Sequence, residues 1–307
     1  MVQALEKGAG RSPEKAGALK EVKMAMIKRR ARCPHSLRAI SEAFHARGIY
    51  FKPLREKPIL TSSDRTKRRK FGGANKYRTK KMWLKKPHGI IDNKSWALYL
   101  NQKGRAYAAG RRVRGAYKGR GDGLKPYLVK PKGGNSKFPA KRIQVTAAVI
   151  KGRIRMWRYA TGRWNGSQAA SMYLTDLRKA LKKAYPEVAR SARGKYVVME
   201  DNDPAGYQST KGKDAKAAAR IKSMPLPPRS PDLNVLDYSL WSEINKRMRE
   251  EEAKFRSDRV ETRDKYLARL RRTALSLPQP VVAKAVQSMH KRVRLVVKAR
   301  GGLIDCD

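Results

Sequence analysis

Two short, strongly apolar runs that each close on an acid constrain this chain more than any other feature. They are His88-Gly-Ile-Ile-Asp92 and Lys195-Tyr-Val-Val-Met-Glu-Asp201. Runs this short between turn residues read as buried strands, which places Asp92 and Asp201 at the carboxyl ends of strands. Trp96–Leu100 reads as the next strand. Arg142–Lys151 and Arg153–Ala160 read as a hairpin about Lys151-Gly152, and Ile221–Leu226 as a last strand. Between them Ser167–Tyr185 carries Ala170, Tyr173, Leu174, Leu177 and Leu181 along one helical side, and 210–221 suits a short helix. Pro227-Pro228-Arg229-Ser230-Pro231 is a stiff loop leading into a helix with Asp237 and Trp241. The chain then ends in helix, with Val286, Met289, Val293 and Val297 on one face and Gly301-Gly302 closing it. Strands first, then alternating β and α, predict a mixed α/β domain over 86–307, with a Gly- and Arg-rich basic insertion at 104–134.

The N-terminal region has a different pattern. Residues 13–31 space Ala16, Leu19, Val22, Met26 and Ile27 for one helical face. Ser36 can cap a second helix with Leu37, Ile40 and Phe44 on one stripe, and Gly48 is placed to end it. Two short helices before a basic arm, Phe51-Lys52-Pro53-Leu54-Arg55, are compatible with a helix-turn-helix over 1–58. Arg38, Ser41 and Glu42 would then face outward on a recognition helix. An ordinary helical hairpin with solvated charges fits the same pattern. Residues 59–85 are polar and very basic and read as a linker.

Charge limits the partners. Lys and Arg total 74 against 25 Asp and Glu, a formal net charge of +49, which points to a polyanion, with nucleic acid the commonest. Between Lys94 and Arg155 there are 17 Lys/Arg and one acid, Asp122. Clusters lie at Lys28–Arg32 and at Lys67-Arg68-Arg69-Lys70. Lys52, Arg55, Arg68, Arg69, Arg111, Arg112 and Arg114 are therefore candidate phosphate contacts beside Arg38 and Ser41. Charge alone would also suit a ribosomal or chromatin protein. Hydrophobic residues make up 40%, enough for a packed core. No apolar run approaches the roughly 18 residues of a membrane helix, and the first residues lack the apolar stretch of a secretory signal. Two cysteines make neither a disulfide framework nor a four-thiolate zinc site, so a reducing, intracellular setting is expected. For a DNA-bound protein in a eukaryote that is the nucleus. The four histidines show no metal-ligand spacing, no GxxxxGK[ST] phosphate loop occurs, and Trp157 and Trp164 read as core.

Asp92, Asp201 and Asp237 suggest metal chemistry. A hard divalent cation takes oxygen ligands, and two ions about 3.5–4 Å apart can activate an attacking oxygen and stabilise a leaving one on a phosphodiester. Turn-capping acids and a helix-start acid are the structural alternatives at the same positions.

The segments VVMEDNDP (197–204) and RSPDLNVLDYSLW (229–241), with 35 residues between Asp201 and Asp237, closely resemble the catalytic core of the Tc/mariner superfamily of cut-and-paste DNA transposases. GIIDNKSW (89–96) looks like that family's first acidic strand, 57–71 is similar to its segment after the second DNA-binding motif, and 288–302 resembles its C-terminal helix. The resemblance runs from about residue 33 to 302. It implies an RNase H-like fold, with Asp92, Asp201 and Asp237 as the metal-binding and catalytic triad. It also implies two Mg²⁺ or Mn²⁺ ions, hydrolysis at transposon ends, and attack of the freed 3′-hydroxyl on target DNA. Inverted-repeat and target DNA would be the partners, and a homodimer on paired ends is part of the same implication. Asp203 and Asp232 match motif positions but read as loop-shaping.

This sequence departs from the family's pattern in four places. The third acid is Asp, as in mariner members, inside an Asp-Leu-Asn context resembling the branch that uses Glu. Ala205-Gly206 stands where a basic residue and His are usual, and Val235 where Pro is common. Residues 1–58 have room for one helix-turn-helix unit, with GRSP (10–13) resembling the connector between two, so the first unit is expected to be missing. The second reading is therefore a degenerate or domesticated derivative that binds DNA without catalysis.

Overall fold

The structure, a computed structural model, describes residues 24–53, 55–98, 115–118, 129–131, 142–160, 162, 164–255 and 261–304. The chain divides into two compact units: 1–59 with 107–135 and 305–307, and 60–106 with 136–304.

In the first unit, helices α1 (Met24–Arg30) and α2 (Leu37–Ala46) pack through Ile27, Ile40 and Phe44, all buried. The Ser36 side chain accepts the Ala39 N–H at 3.2 Å, capping α2, and Gly48 with φ of +69° turns the chain away from it. The segment after α2 is extended and paired. Tyr50–Pro53 runs antiparallel to Gly115–Lys118, and Arg55–Lys57 runs parallel to Val129–Pro131. The basic arm thus takes its backbone partners from inside the basic insertion.

The second unit begins with a departure from expectation. Residues 61–85 are not a linker: they form helices α3 (Ser62–Asn75) and α4 (Lys80–Lys85). Thr61 and Asp64 make a reciprocal capping box at the start of α3. The buried side of α3 is Asp64, Arg68, Gly72 and Asn75, so no apolar periodicity announces it.

A five-stranded sheet follows: β1 (Gly89–Ala97), β2 (Arg142–Ile150), β3 (Arg153–Tyr159), β4 (Tyr196–Glu200) and β5 (Ile221–Pro225). Its order is β3-β2-β1-β4-β5, with β1, β2 and β3 antiparallel in turn and β4 and β5 parallel to β1. The expected break between Asp92 and Trp96 does not occur. Residues 93–97 keep pairing with β2, from Asn93 opposite Thr146 to Ala97 opposite Arg142, so Asp92 sits within a nine-residue strand. Lys151 and Gly152, with φ of +50° and +66°, make the β2–β3 turn.

The odd-numbered face of β1 packs through Ile91 on one long helix made of α5 (Gly166–Met172), a π-helical turn (Tyr173–Leu177) and α6 (Arg178–Ala184). Met172, Tyr173, Leu177 and Leu181 are fully buried there against Ala148, Ile150 and Val198. Each such side chain contributes about 1.5–3 kcal/mol of transfer free energy. A short helix, α7 (Pro186–Arg190), leads to β4, and α8 (Thr210–Ala218) joins β4 to β5. On the even-numbered face Trp96 packs with Trp241 and bonds the Tyr266 hydroxyl at 3.1 Å. These partners come from α9 (Trp241–Glu252) and α10 (Arg263–Leu275). Trp157 and Trp164 are buried in the core. The chain continues through α11 (Gln279–Gln287) and α12 (Met289–Lys298), where Val296 rather than Val297 completes the buried stripe. Among the described residues no helix is long and apolar enough to cross a membrane.

Candidate active site

Strand register brings the first two acids together. Ile90 pairs with Met199 across the parallel β1–β4 ladder, and two residues further along each strand lie Asp92 and Asp201. The third acid comes from a π-helical turn, Leu236–Leu240, that opens α9. Asp237 and Trp241 are one turn apart, which places them on one side of that helix. The indole N–H of Trp241 donates to an Asp92 carboxylate oxygen at 2.7 Å, so the helix that carries the third acid also holds the first.

The loop before Asp237 is fixed by a buried ion pair. Arg68 of α3, fully buried, presents its guanidinium fork to Asp232 at 2.7 and 2.6 Å. It also donates to the Ser230 hydroxyl and to the carbonyls of Gly301 and Gly302. Asp232 additionally accepts the Ile304 N–H at 3.2 Å. Asn234 accepts the Leu236 N–H through its side chain at 3.1 Å, starting the π-helical turn. The Ser-Pro-Asp-Leu-Asn segment is thus a clamp that aims Asp237.

A second clamp follows Asp201. Asp203 accepts the backbone N–H groups of Ala205 and Gly206 at 3.1 and 2.9 Å and the Trp164 indole N–H at 2.7 Å. A side chain at 206 has no room: a Cβ there would lie 2.3 Å from the Trp164 indole nitrogen and 2.7 Å from Asp203. Glycine at 206 is therefore coupled to tryptophan at 164. Glu200, fully buried beside Asp201, is bonded to the Tyr173 hydroxyl, the Lys216 ammonium and the Ser223 hydroxyl, so it is occupied structurally.

The acids repel one another. Burial pushes the Asp92 carboxyl well above the usual carboxylate range, and the charges of Asp237 and Asp201 push it further, against the pull of the Trp241 N–H. Asp201 is pushed up to about 6, chiefly by burial and by Asp203, Asp237 and Glu200. Tyr207, fully buried, has its hydroxyl raised by burial and by Asp92, Asp201, Glu200 and Asp203, and that hydroxyl has no partner among the described residues. Neither Trp241 nor Tyr207 was anticipated from the sequence as part of this site. The four-residue spacing of Asp237 and Trp241 was the signal for the first, and nothing local marked the second.

A carboxylate-only, mutually repelling donor set fits a hard divalent cation, whose charge would relieve the repulsion. Among the described residues, however, no three His, Cys, Asp or Glu side chains stand close enough to enclose one ion.

The other expected DNA contacts divide. Arg68 is a correction: its guanidinium is buried and fully engaged, so it does not meet phosphate. Arg69, its neighbour, is exposed on α3. Arg38 is exposed and paired with Glu42 at 2.9 Å, and Ser41 is half-buried on the same helix. Lys52 and Arg55 lie on the paired extended segment. Arg111, Arg112 and Arg114 lie outside the described residues.

Solved structures share this architecture. The chain aligns with the catalytic domain of Mos1 mariner transposase at TM-score 0.56, over 81% of this chain and 99% of that one, with 14% identity. It aligns with the Mos1 mariner paired-end complex with Mn at TM-score 0.62, over 99% of this chain and 80% of that one, with 16% identity. Its fold is that of the Mos1 mariner transposase catalytic domain. The mariner fold is RNase H-like, and the sheet order found here is how this chain builds it. In sequence, the Tcb1 transposase of Caenorhabditis briggsae is 29% identical over 116 residues, 37% of this chain and 38% of the Tcb1 length. No family model matches.

Proposed function

We propose that this chain is a metal-dependent DNA transposase of Tc/mariner type, which cuts DNA at transposon ends and joins them to target DNA. The observation that carries the reading is the placement of Asp92 and Asp201 by adjacent parallel strands on a mariner-like fold, where the charge of Asp237 raises both carboxyls. Asp92, Asp201 and Asp237 would be the residues that hold Mg²⁺ or Mn²⁺, with two ions as the family resemblance implies. Bound there, such ions lower the pKa of an attacking water or 3′-hydroxyl and neutralise charge on the scissile phosphate. The residues of this chain supply position. Trp241 orients Asp92, the Arg68–Asp232 clamp sets the turn carrying Asp237, and Asp203 shapes the loop behind Asp201.

Double-stranded transposon ends and target DNA are the proposed partners, a homodimer on paired ends the proposed assembly, and the nucleus the proposed site of action. Arg38, Ser41, Arg69, Lys52 and Arg55 remain proposed DNA contacts. The test is nicking of supercoiled plasmid in Mn²⁺ by the parent and by Asp201→Asn, purified in parallel. The parent is expected to nick and the variant to lose at least 100-fold while binding DNA as before. Equal nicking by both would remove the triad from the chemistry. Binding by both without nicking in either would favour the DNA-binding derivative.

A further inference from the structure

Away from the acids, the second unit carries a cavity of about 430 Å³ lined by Lys80 of α4 and by His290, Lys291, Arg294, Leu295 and Lys298 of α12. Five of the six lining residues are basic or imidazole side chains, and none is acidic. Lys291, Arg294 and Lys298 fall on one side of α12 at helical spacing, and these three with Lys80 are exposed. None of the three lysines makes an ion pair among the described residues.

The groove is pre-formed rather than a chance meeting of flexible side chains. The Arg294 Nε donates to the Lys76 carbonyl at 3.1 Å, and the His290 Nδ1 lies 2.8 Å from the Arg78 carbonyl. Because a carbonyl only accepts, that nitrogen carries the proton. Both bonds tie α12 to the turn between α3 and α4. Between the two anchored carbonyls stands Tyr77, 79% exposed, with the Lys76 ammonium 4.7 Å from its ring centre. A row of exposed ammonium and guanidinium groups along one helix is the combination that accepts a phosphate backbone.

We infer that this groove is a second DNA-binding surface, which takes the phosphate backbone of duplex DNA on the catalytic unit itself. It deepens the transposase reading by naming where that unit grips its substrate outside the acids. Its chemistry is sequence-independent: point charges on lysine stems meet phosphates and release their counterions. An acidic peptide is the competing occupant, and the absence of a DNA effect would point to it.

The experiment measures affinity of the full chain for a 20-base-pair duplex without metal, by fluorescence anisotropy across a salt series. Metal-free binding keeps the result independent of whether the acids cut DNA. The triple variant Lys80→Ala, Lys291→Ala, Lys298→Ala is expected to lower the slope of log affinity against log salt by about 2 to 3, from about 0.9 per lost phosphate contact. Lys179→Ala, Lys182→Ala, Lys183→Ala removes the same charge from exposed positions on α6 and is expected to change the slope by less than about 1. An unchanged slope in the groove variant, or an equal fall in both, overturns the inference. If the groove variant melts lower than the parent, acetylation of the parent decides instead. Bound duplex is expected to shield Lys291 and Lys298 more than Lys182, and equal labelling overturns the proposal.

Discussion

The raised pKa of Asp201 has a consequence for stability as well as for chemistry. A carboxyl whose folded value is about 6, against an ordinary value near 3.9, favours folding while protonated. That contribution is present below about pH 4 and is lost as pH rises through about 6, on the order of 3 kcal/mol at most. Asp201→Asn is therefore expected to melt above the parent at pH 7.5 in the absence of metal. The gap should close as pH falls to 4, and a melting series in EDTA checks it. A gap independent of pH would show that Asp201 is not the strained group. Trp241→Phe keeps the ring and removes the N–H that lowers the Asp92 value. Metal-dependent nicking is then expected to rise with pH at a more alkaline midpoint than in the parent, read from rate–pH profiles. That Asp201 follows a buried strand and Asp237 opens a helix was legible from the sequence, because one ends an apolar run and the other follows a proline-rich loop, whereas Asp92 lies inside its strand rather than at its end. The roles of Trp241 and Tyr207 were not, because both depend on contacts between segments far apart in the chain.

At the scale of elements, α3 shows how a basic stretch can be structural. Its inward side has no aliphatic stripe. In its place are a capping carboxylate, a guanidinium, a glycine against Val297 and Val293, and an asparagine. Reading charge as solvent exposure therefore misassigned Arg68, while the capping box at Thr61 and Asp64 was the available sign of a helix start. Arg68→Ala is expected to cost about 3–5 kcal/mol, because it leaves Asp232 buried and unpaired, and urea denaturation of the full chain measures it. Exposed Arg69→Ala should stay within about 0.5 kcal/mol. A similar loss for both would mean that the clamp does not hold the Asp237 turn. The β2–β3 hairpin, β4 and the long helix over 166–184 were readable because their apolar spacing matches one period. The first strand was read as two pieces because Asn93, Lys94 and Ser95 break the apolar run while the backbone ladder continues through them.

For the whole molecule, a net charge of +49 predicts DNA affinity that falls about 10³- to 10⁵-fold between 50 and 200 mM salt if six to ten phosphates are met. Filter binding with duplex DNA checks this, and a flat response would remove the electrostatic footing of every DNA contact named above. The pairing of residues 50–57 with strands at 115–118 and 129–131 has a consequence of another kind. The chain leaves the second unit after residue 106, adds 107–135 to the first unit, and then returns. The N-terminal unit is therefore not a bead on a string. A protease cut between residues 59 and 60 would leave the two units covalently joined at the other three crossings. A fragment ending at residue 58 would carry its extended arm with hydrogen-bonding edges bare, a template for self-association. Neither unit is a continuous stretch of the sequence, so neither is released whole by a single cut.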